Sequence, residues 1–392
     1  MTKARRFITL LFTIVIAQLA VSQSIIAFQE SGLQSAFNRA KAEKKPVMLW
    51  CYTTWCPHCK YMKSQVFTNS SVAEYYNKTF ICVAQDIEKG EGIELNKVVK
   101  LNSFPTFIFY DPNGKIMYRM EGEFIPAVFI TEGKNALISK KQLPYLKEQF
   151  EKDVSNSTNC FDYLRALKKG GMDFSSVVTT YFATKTDKQL LSEVNWRIFT
   201  NGVTDFNSRE FQFVISHQKE YASIASPARV NRKLKYEVKS LLSPLVEATD
   251  TINYRTKREL AAQIHSFATD SLIFTYDMQI DELTHNWNGY CKTGLQSTEI
   301  YVWNNHTQLS DIATNFLKNV SDPKALSQAV HWAERSLTLD RSYDNYLLCA
   351  KLYKQLHNPS AATKLAKNAK ELAAKSGWEG VEAQQLLQEL DR

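Results

Sequence analysis

Glycine and proline are scarce, at 13 and 10 in 392 residues, about 6% together where roughly 12% is usual. A chain so poor in turn-formers is expected to be rich in helix. The few there are fall unevenly: 12 lie in residues 1–144 and 11 in residues 145–392. The first third therefore reads as a turn-rich fold and the remainder as helix after helix. No run of Lys or Arg dominates. The formal net charge is +8, or +5 without the three basic residues of the N-terminal leader. Nucleic acid is not an expected partner. Hydrophobic residues at 44% and charged residues at 22% exclude wholesale disorder.

Catalytic signatures are also few. There is no Gly-x-Ser-x-Gly, and the histidines show no ligand spacing. Gly90-Glu91-Gly92 lacks a third glycine, and Glu88 and Glu91 would repel a phosphate. A structural zinc needs four ligands, yet no second Cys-x-x-Cys or His pair accompanies the one at 56–59. Neither a metal nor another cofactor is expected.

The N-terminus is an address. Lys3, Arg5 and Arg6 precede an apolar run from Phe7 to Val21, and Ala20-Val21-Ser22 places small residues before Gln23. This is the pattern of a cleavable signal peptide over residues 1–22. At 15 residues the run is short of the ~20 that span a bilayer. An uncleaved anchor is the alternative, because Ile25 to Phe28 resumes apolar character beyond Gln18, Ser22, Gln23 and Ser24. Export is expected, to the periplasm or beyond the cell, where disulfides persist. Seven cysteines stand at 51, 56, 59, 82, 160, 291 and 349, so at least one thiol lacks a partner within the chain.

The apolar patterns predict a helix over 33–44, a buried strand over 46–52, and a helix over 56–78 broken near Thr68-Asn69-Ser70. Further strands are expected at 80–84, 106–110 and 115–119, with a helix over 91–101 and a tight turn at Asp111-Pro112-Asn113-Gly114. Strand–helix–strand followed by a hairpin implies a mixed sheet flanked by helices. Further on, Val230, Leu234, Val238, Leu241 and Leu245 mark one apolar helix face. In the last 70 residues Ala329/Ala362, Ala333/Ala366 and Ser336/Ala369 recur 33 apart. Small residues at that spacing resemble a tetratricopeptide repeat, with Tyr346, Ala350 and Tyr353 on the preceding helix and a cap over 380–390. The expected organisation is a signal peptide at 1–22, an α/β domain at 23–145, a helical region at 146–320 and a helical repeat at 321–392.

One motif carries chemistry. Trp55-Cys56-Pro57-His58-Cys59-Lys60 follows a buried strand and opens a helix. Cys56 sits about where an N-cap sits, so unpaired backbone N–H groups and the positive helix end favour its thiolate. Pro57 takes the first helical position, where a missing N–H costs nothing. His58 can add a charge or a donor beside the same sulfur. Cys59 lies one turn further in. Such a pair exchanges disulfides: Cys56 attacks, a mixed disulfide forms, and Cys59 resolves it.

These residues resemble the thioredoxin fold over 33–125, and more narrowly the exported thioredoxin-like proteins of Bacteroidetes. The runs Cys51-Tyr52-Thr53-Thr54-Trp55-Cys56 and Asp86-Ile87-Glu88-Lys89-Gly90-Glu91-Gly92 carry that likeness. Ser103-Phe104-Pro105-Thr106 resembles the family's cis-proline loop. The resemblance implies a cis Phe104–Pro105 bond, a substrate strand held by the backbone before that proline, and a substrate surface shaped by Trp55 and Pro105. It implies a thiol–disulfide oxidoreductase acting on protein thiols and disulfides, recycled by a membrane or soluble redox partner, with a client or partner docking on the helical repeats.

Two departures bear on direction. Pro57-His58 replaces the usual Gly-Pro and is the pair of the periplasmic oxidase DsbA. Thioredoxin and DsbA differ by about 150 mV, roughly 7 kcal/mol. The pair therefore favours an oxidant or isomerase. Trp50 stands where thioredoxins keep a buried acid that takes the proton of the second cysteine. That leaves Cys59 to water or Lys60. The alternatives are a reductase fed by a membrane electron donor, and a non-catalytic scaffold that binds partners through its repeats.

Overall fold

A computed structural model describes residues 25–29 and 32–391; the leader at 1–22 lies outside them. The chain packs as two compact units, one running to Phe213 and the other from Val214.

The first unit is built on five strands: β1 (Phe28–Gln29), β2 (Val47–Tyr52), β3 (Ile81–Asp86), β4 (Thr106–Tyr110) and β5 (Ile116–Glu121). Their order is β1-β3-β2-β4-β5, with β1, β3 and β2 parallel and β4 and β5 antiparallel to their neighbours. β2 and β4 are central and read as unbroken apolar runs because both of their faces are covered. Alternate residues serve opposite layers. Met48, Trp50, Phe107 and Phe109 pack with Phe67, Tyr76 and Phe129 on one face. Val47, Leu49, Cys51 and Ile108 pack with Ala36 and Ala40 on the other. Cys51 and Cys82 thus belong to different cores, although their strands adjoin.

The helices of this unit are α1 (Gly32–Glu43), α2 (Pro57–Tyr61), α3 (Ser70–Thr79), α4 (Glu91–Val99), α5 (Pro126–Ala136), α6 (Leu143–Lys152) and α7 (Ser157–Lys169), with others beyond. The expected break near Asn69 is real: Asn69 caps α3 by accepting from the Val72 N–H. The rest of the expected 56–78 helix is not uniform. α2 passes into a π-helical turn at Met62–Val66, which buries both of those residues. α6 and α7, beyond the hairpin, pack on β5.

Gly92 lets α4 start close against the end of β3. A Cβ there would stand 1.9 Å from the Asp86 carbonyl oxygen. Gly92→Ala is expected to cost about 1–3 kcal/mol by overpacking, read as a lower urea midpoint. An unchanged midpoint would show that the backbone yields freely there.

In the second unit the long helix Pro227–Glu247 buries Val230, Leu234 and Val238 as expected. Its core positions then become Leu242 and Val246 rather than the expected Leu241 and Leu245. The reason is geometric. The buried positions keep strict steps of four, each about 40° beyond a full turn of a 3.6-residue helix, so the buried stripe winds away from the straighter face that mixed three- and four-residue steps would hold. The spaced small residues Ala329, Ala333, Ser336, Ala362, Ala366 and Ala369 are all fully buried. Ser336 is partnered in that core, donating to the His306 carbonyl at 2.8 Å, with Asn345 Oδ1 at 3.1 Å. Cys349 is part of the core.

Candidate active site

Cys56 ends the β2–α2 connection in an extended conformation, with Pro57 at the first helical position. Pro57 is preorganised for that place and gives up an N–H that the helix end leaves unpaired anyway. Cys59 follows within the same turn. All seven cysteines are free thiols. Cys56 is 4% exposed and Cys59 2%. Access to the first sulfur is therefore a matter of the residues that rim it.

That rim is made by side chains from four segments. Trp55 is 60% exposed, and its indole N–H donates to both carboxylate oxygens of Glu88, at 3.0 and 3.1 Å. Its ring meets Phe104 edge-on at 6.5 Å. The Phe104–Pro105 peptide is cis. The Cys56 thiol donates to the Phe104 carbonyl at 3.4 Å, so the carbonyl before the proline is engaged in the reduced form. His58 is exposed and pairs through Nδ1 with Glu123 Oε2 at 2.8 Å. The structure thus brings together Trp55, Cys56, Pro57, His58, Cys59, Phe104 and Pro105. Glu88 and Glu123 were not singled out from the sequence. Glu88 lies within the Asp86–Gly92 run that carries the resemblance, whereas nothing local marks Glu123.

The two cysteines share an aromatic core with Trp50, Phe67 and Phe107. Trp50 stacks on Tyr52 at 4.4 Å and meets Phe67 edge-on at 4.8 Å. An indole accepts no proton, and the exposed Lys60 stands outside this core. Burial pushes the Cys59 thiol up to about 12, with hydrogen bonding and charge from Cys56 adding to it and the Thr53 backbone acting the other way. Burial likewise raises Cys51, Cys82, Cys160 and Cys349 to about 12, the condition of inert core thiols. Among the described residues no group of three or more His, Cys, Asp or Glu is placed to hold a metal ion, and no helix is long and apolar enough to cross a membrane.

Comparison with known proteins agrees with this architecture. Residues 33–136 match the model of the thioredoxin-like domain family. The chain is 34% identical over 84 residues to the thiol:disulfide interchange protein DsbD of Vibrio vulnificus, covering 21% of this chain and 14% of that protein. It is 36% identical over 75 residues to thioredoxin-1 of Drosophila melanogaster, 19% of this chain and 65% of that one. A putative disulphide-isomerase from Bacteroides thetaiotaomicron, known in solution, shares 37% identity over 29% of this chain and 94% of that chain, with a TM-score of 0.28. The match thus spans only 14% of the curated interchange protein and leaves the helical region of this chain outside it.

Proposed function

Residues 33–136 being a thioredoxin-like domain joined to a long all-helical region, we propose that the chain is an exported thiol–disulfide oxidoreductase acting on protein substrates through Cys56 and Cys59. The observation that carries this reading is one juxtaposition. Cys56 holds the N-cap position of a helix without a side-chain hydrogen bond to it, Cys59 sits in the same turn, and the Cys56 thiol donates to the carbonyl of the cis Phe104–Pro105 loop.

The chemistry balances within the pair. The Cys56 thiolate attacks one sulfur of a client disulfide and the other client sulfur leaves as thiolate. Cys59 then attacks Cys56 in the mixed disulfide, releasing the reduced client and leaving Cys56–Cys59 oxidised. Run backwards, the same two steps oxidise a client. Pro57-His58 favours the oxidising or isomerising direction. A membrane or soluble redox partner restores the pair. The leader pattern of residues 1–22 supports a site of action in the periplasm or outside the cell. The tetratricopeptide-like repeats of residues 321–392 offer a face for a client or partner.

Equilibration of the mature protein in glutathione buffers, read by thiol alkylation and mass, tests the reading. A potential near −120 mV is the value of a disulfide donor, and one near −270 mV that of a reductant needing a dedicated electron source. A pair that forms no disulfide at any poise overturns the enzyme and leaves the scaffold.

His58 supplies a second test. His58→Ala removes the imidazole that this reading credits with favouring the Cys56 thiolate and that pairs with Glu123, and is expected to destabilise the reduced form. The potential is expected to fall, by about 30 mV for each 1.4 kcal/mol lost. An unmoved or rising potential would separate His58 from the tuning of the pair.

A further inference from the structure

The loop before β4 runs from Leu101 to Pro105 and carries the Phe104 carbonyl that Cys56 engages. Most of its supports come from the domain itself. The Leu101 N–H donates to Asn96 Oδ1 at 3.2 Å, Thr106 Oγ1 to the Ser103 carbonyl at 2.7 Å, and the Gly122 N–H to the Pro105 carbonyl at 2.8 Å. One support does not. Asn102 Nδ2 donates at 3.0 Å to the carbonyl of Gly171, 69 residues further along the chain.

Gly171 is the turn that ends α7. Its φ of +59° is left-handed. Its N–H returns to the Lys168 carbonyl, and the Met172 N–H to that of Leu167. This is the paired bonding of a Schellman cap. Having turned, the chain offers the Gly171 carbonyl outward, to Asn102. A side chain is excluded at Gly171 twice over, because a Cβ would also meet the Glu121 carboxylate at 1.9 Å.

The two residues before it brace the same region. A Cβ on Gly170 would stand 3.1 Å from the Arg119 side chain. Arg119 is buried and donates to the carbonyls of Val99 at 2.7 Å and Lys100 at 3.3 Å, the end of the helix that feeds the loop. Lys169 Nζ binds both Glu132 oxygens and the Tyr118 hydroxyl, each at 2.9 Å, pinning the end of α7 to α5 and β5.

From this convergence we infer that the Lys169–Gly171 turn, through Asn102, is a positioning element for the loop that receives the substrate. The first helices after the redox domain then belong to its substrate-binding machinery. This rests on the function proposed above. Asn102 is a positioning residue: it touches neither cysteine.

The test uses the full mature chain with Asn102→Ala and Asn102→Asp. The carboxylate keeps the size but cannot donate to a carbonyl. For a peptide with one internal disulfide, KM is expected to rise about fivefold, the worth of one hydrogen bond. The kcat, the Cys56–Cys59 potential and the melting temperature are expected to stay near wild type. Amide exchange at Leu101 and Gly122, whose N–H groups hold the two ends of the loop, is expected to quicken by a similar factor. Unchanged KM with unchanged exchange overturns the inference, as does a loss that merely follows a lower melting temperature. If the wild-type chain exchanges no disulfide, the proposed function fails on its own account. The amide exchange at Leu101 and Gly122 then decides the brace.

Discussion

Cys56→Ser is expected to show no measurable disulfide exchange, while Cys59→Ser should still attack and then stop, accumulating a mixed disulfide with its client. The asymmetry follows from position. Cys56 holds the N-cap position of α2, and its thiol donates to the Phe104 carbonyl at the rim rather than to the helix. Cys59 lies beneath it in the aromatic core. A serine hydroxyl forms no disulfide, so the first replacement removes the attacking atom itself. It costs the fold little, because an O–H can donate to Phe104 as the S–H does. With Cys59 replaced, the nucleophile remains but nothing inside the chain can resolve the intermediate. Incubation with a disulfide-containing protein, acid quenching and intact mass separate the two. A covalent adduct on Cys56→Ser, or rapid turnover by Cys59→Ser, would reverse the assigned order of the pair.

Release of the mixed disulfide is expected to quicken about tenfold per pH unit between pH 7 and 9, a hundredfold over the window. Attack requires the Cys59 thiolate. Burial, the leading cause, pushes that thiol up to about 12. Below its pKa the thiolate fraction grows tenfold with each pH unit, and the whole window lies below. The contributions from Cys56 vanish once its sulfur is bonded to the client, but burial by Trp50, Phe67 and Phe107 does not. A buried carboxylate would flatten this slope by taking the proton inside the protein, and Trp50 stands in its place. Stopped-flow release from a preformed adduct in wild-type protein checks the slope. A flat profile would mean that some group other than bulk base takes the proton.

The strands were legible because each carries its own evidence. Val47–Tyr52 and Thr106–Tyr110 are apolar runs bounded by Pro46, Pro105 and Pro112, and they fold as the central pair. The cysteine pair was legible for the same reason, since Trp55 to Cys59 holds two thiols and a first-turn proline within one turn. The face of the Pro227–Glu247 helix was legible only in its first half, because side-chain spacing alone does not say where a long helix meets its neighbours. The π-helical turn at Met62–Val66 left no local mark. Glu123 and Gly170-Gly171 were invisible to pattern, since each matters through a residue far away in the chain.

By itself the sequence determined that an α/β domain is followed by a long helical region, that the strand over Val47–Tyr52 is buried, and that Cys56 and Cys59 open a helix, because periodicity and turn chemistry act over a few residues. Only the tertiary structure decided how deeply Cys59 lies, which carboxylates reach Trp55 and His58, and that the end of α7 braces the Asn102 loop. Desolvation is the sum of everything packed around a group. A hydrogen bond across 69 residues exists only once both of its ends have been brought to one place.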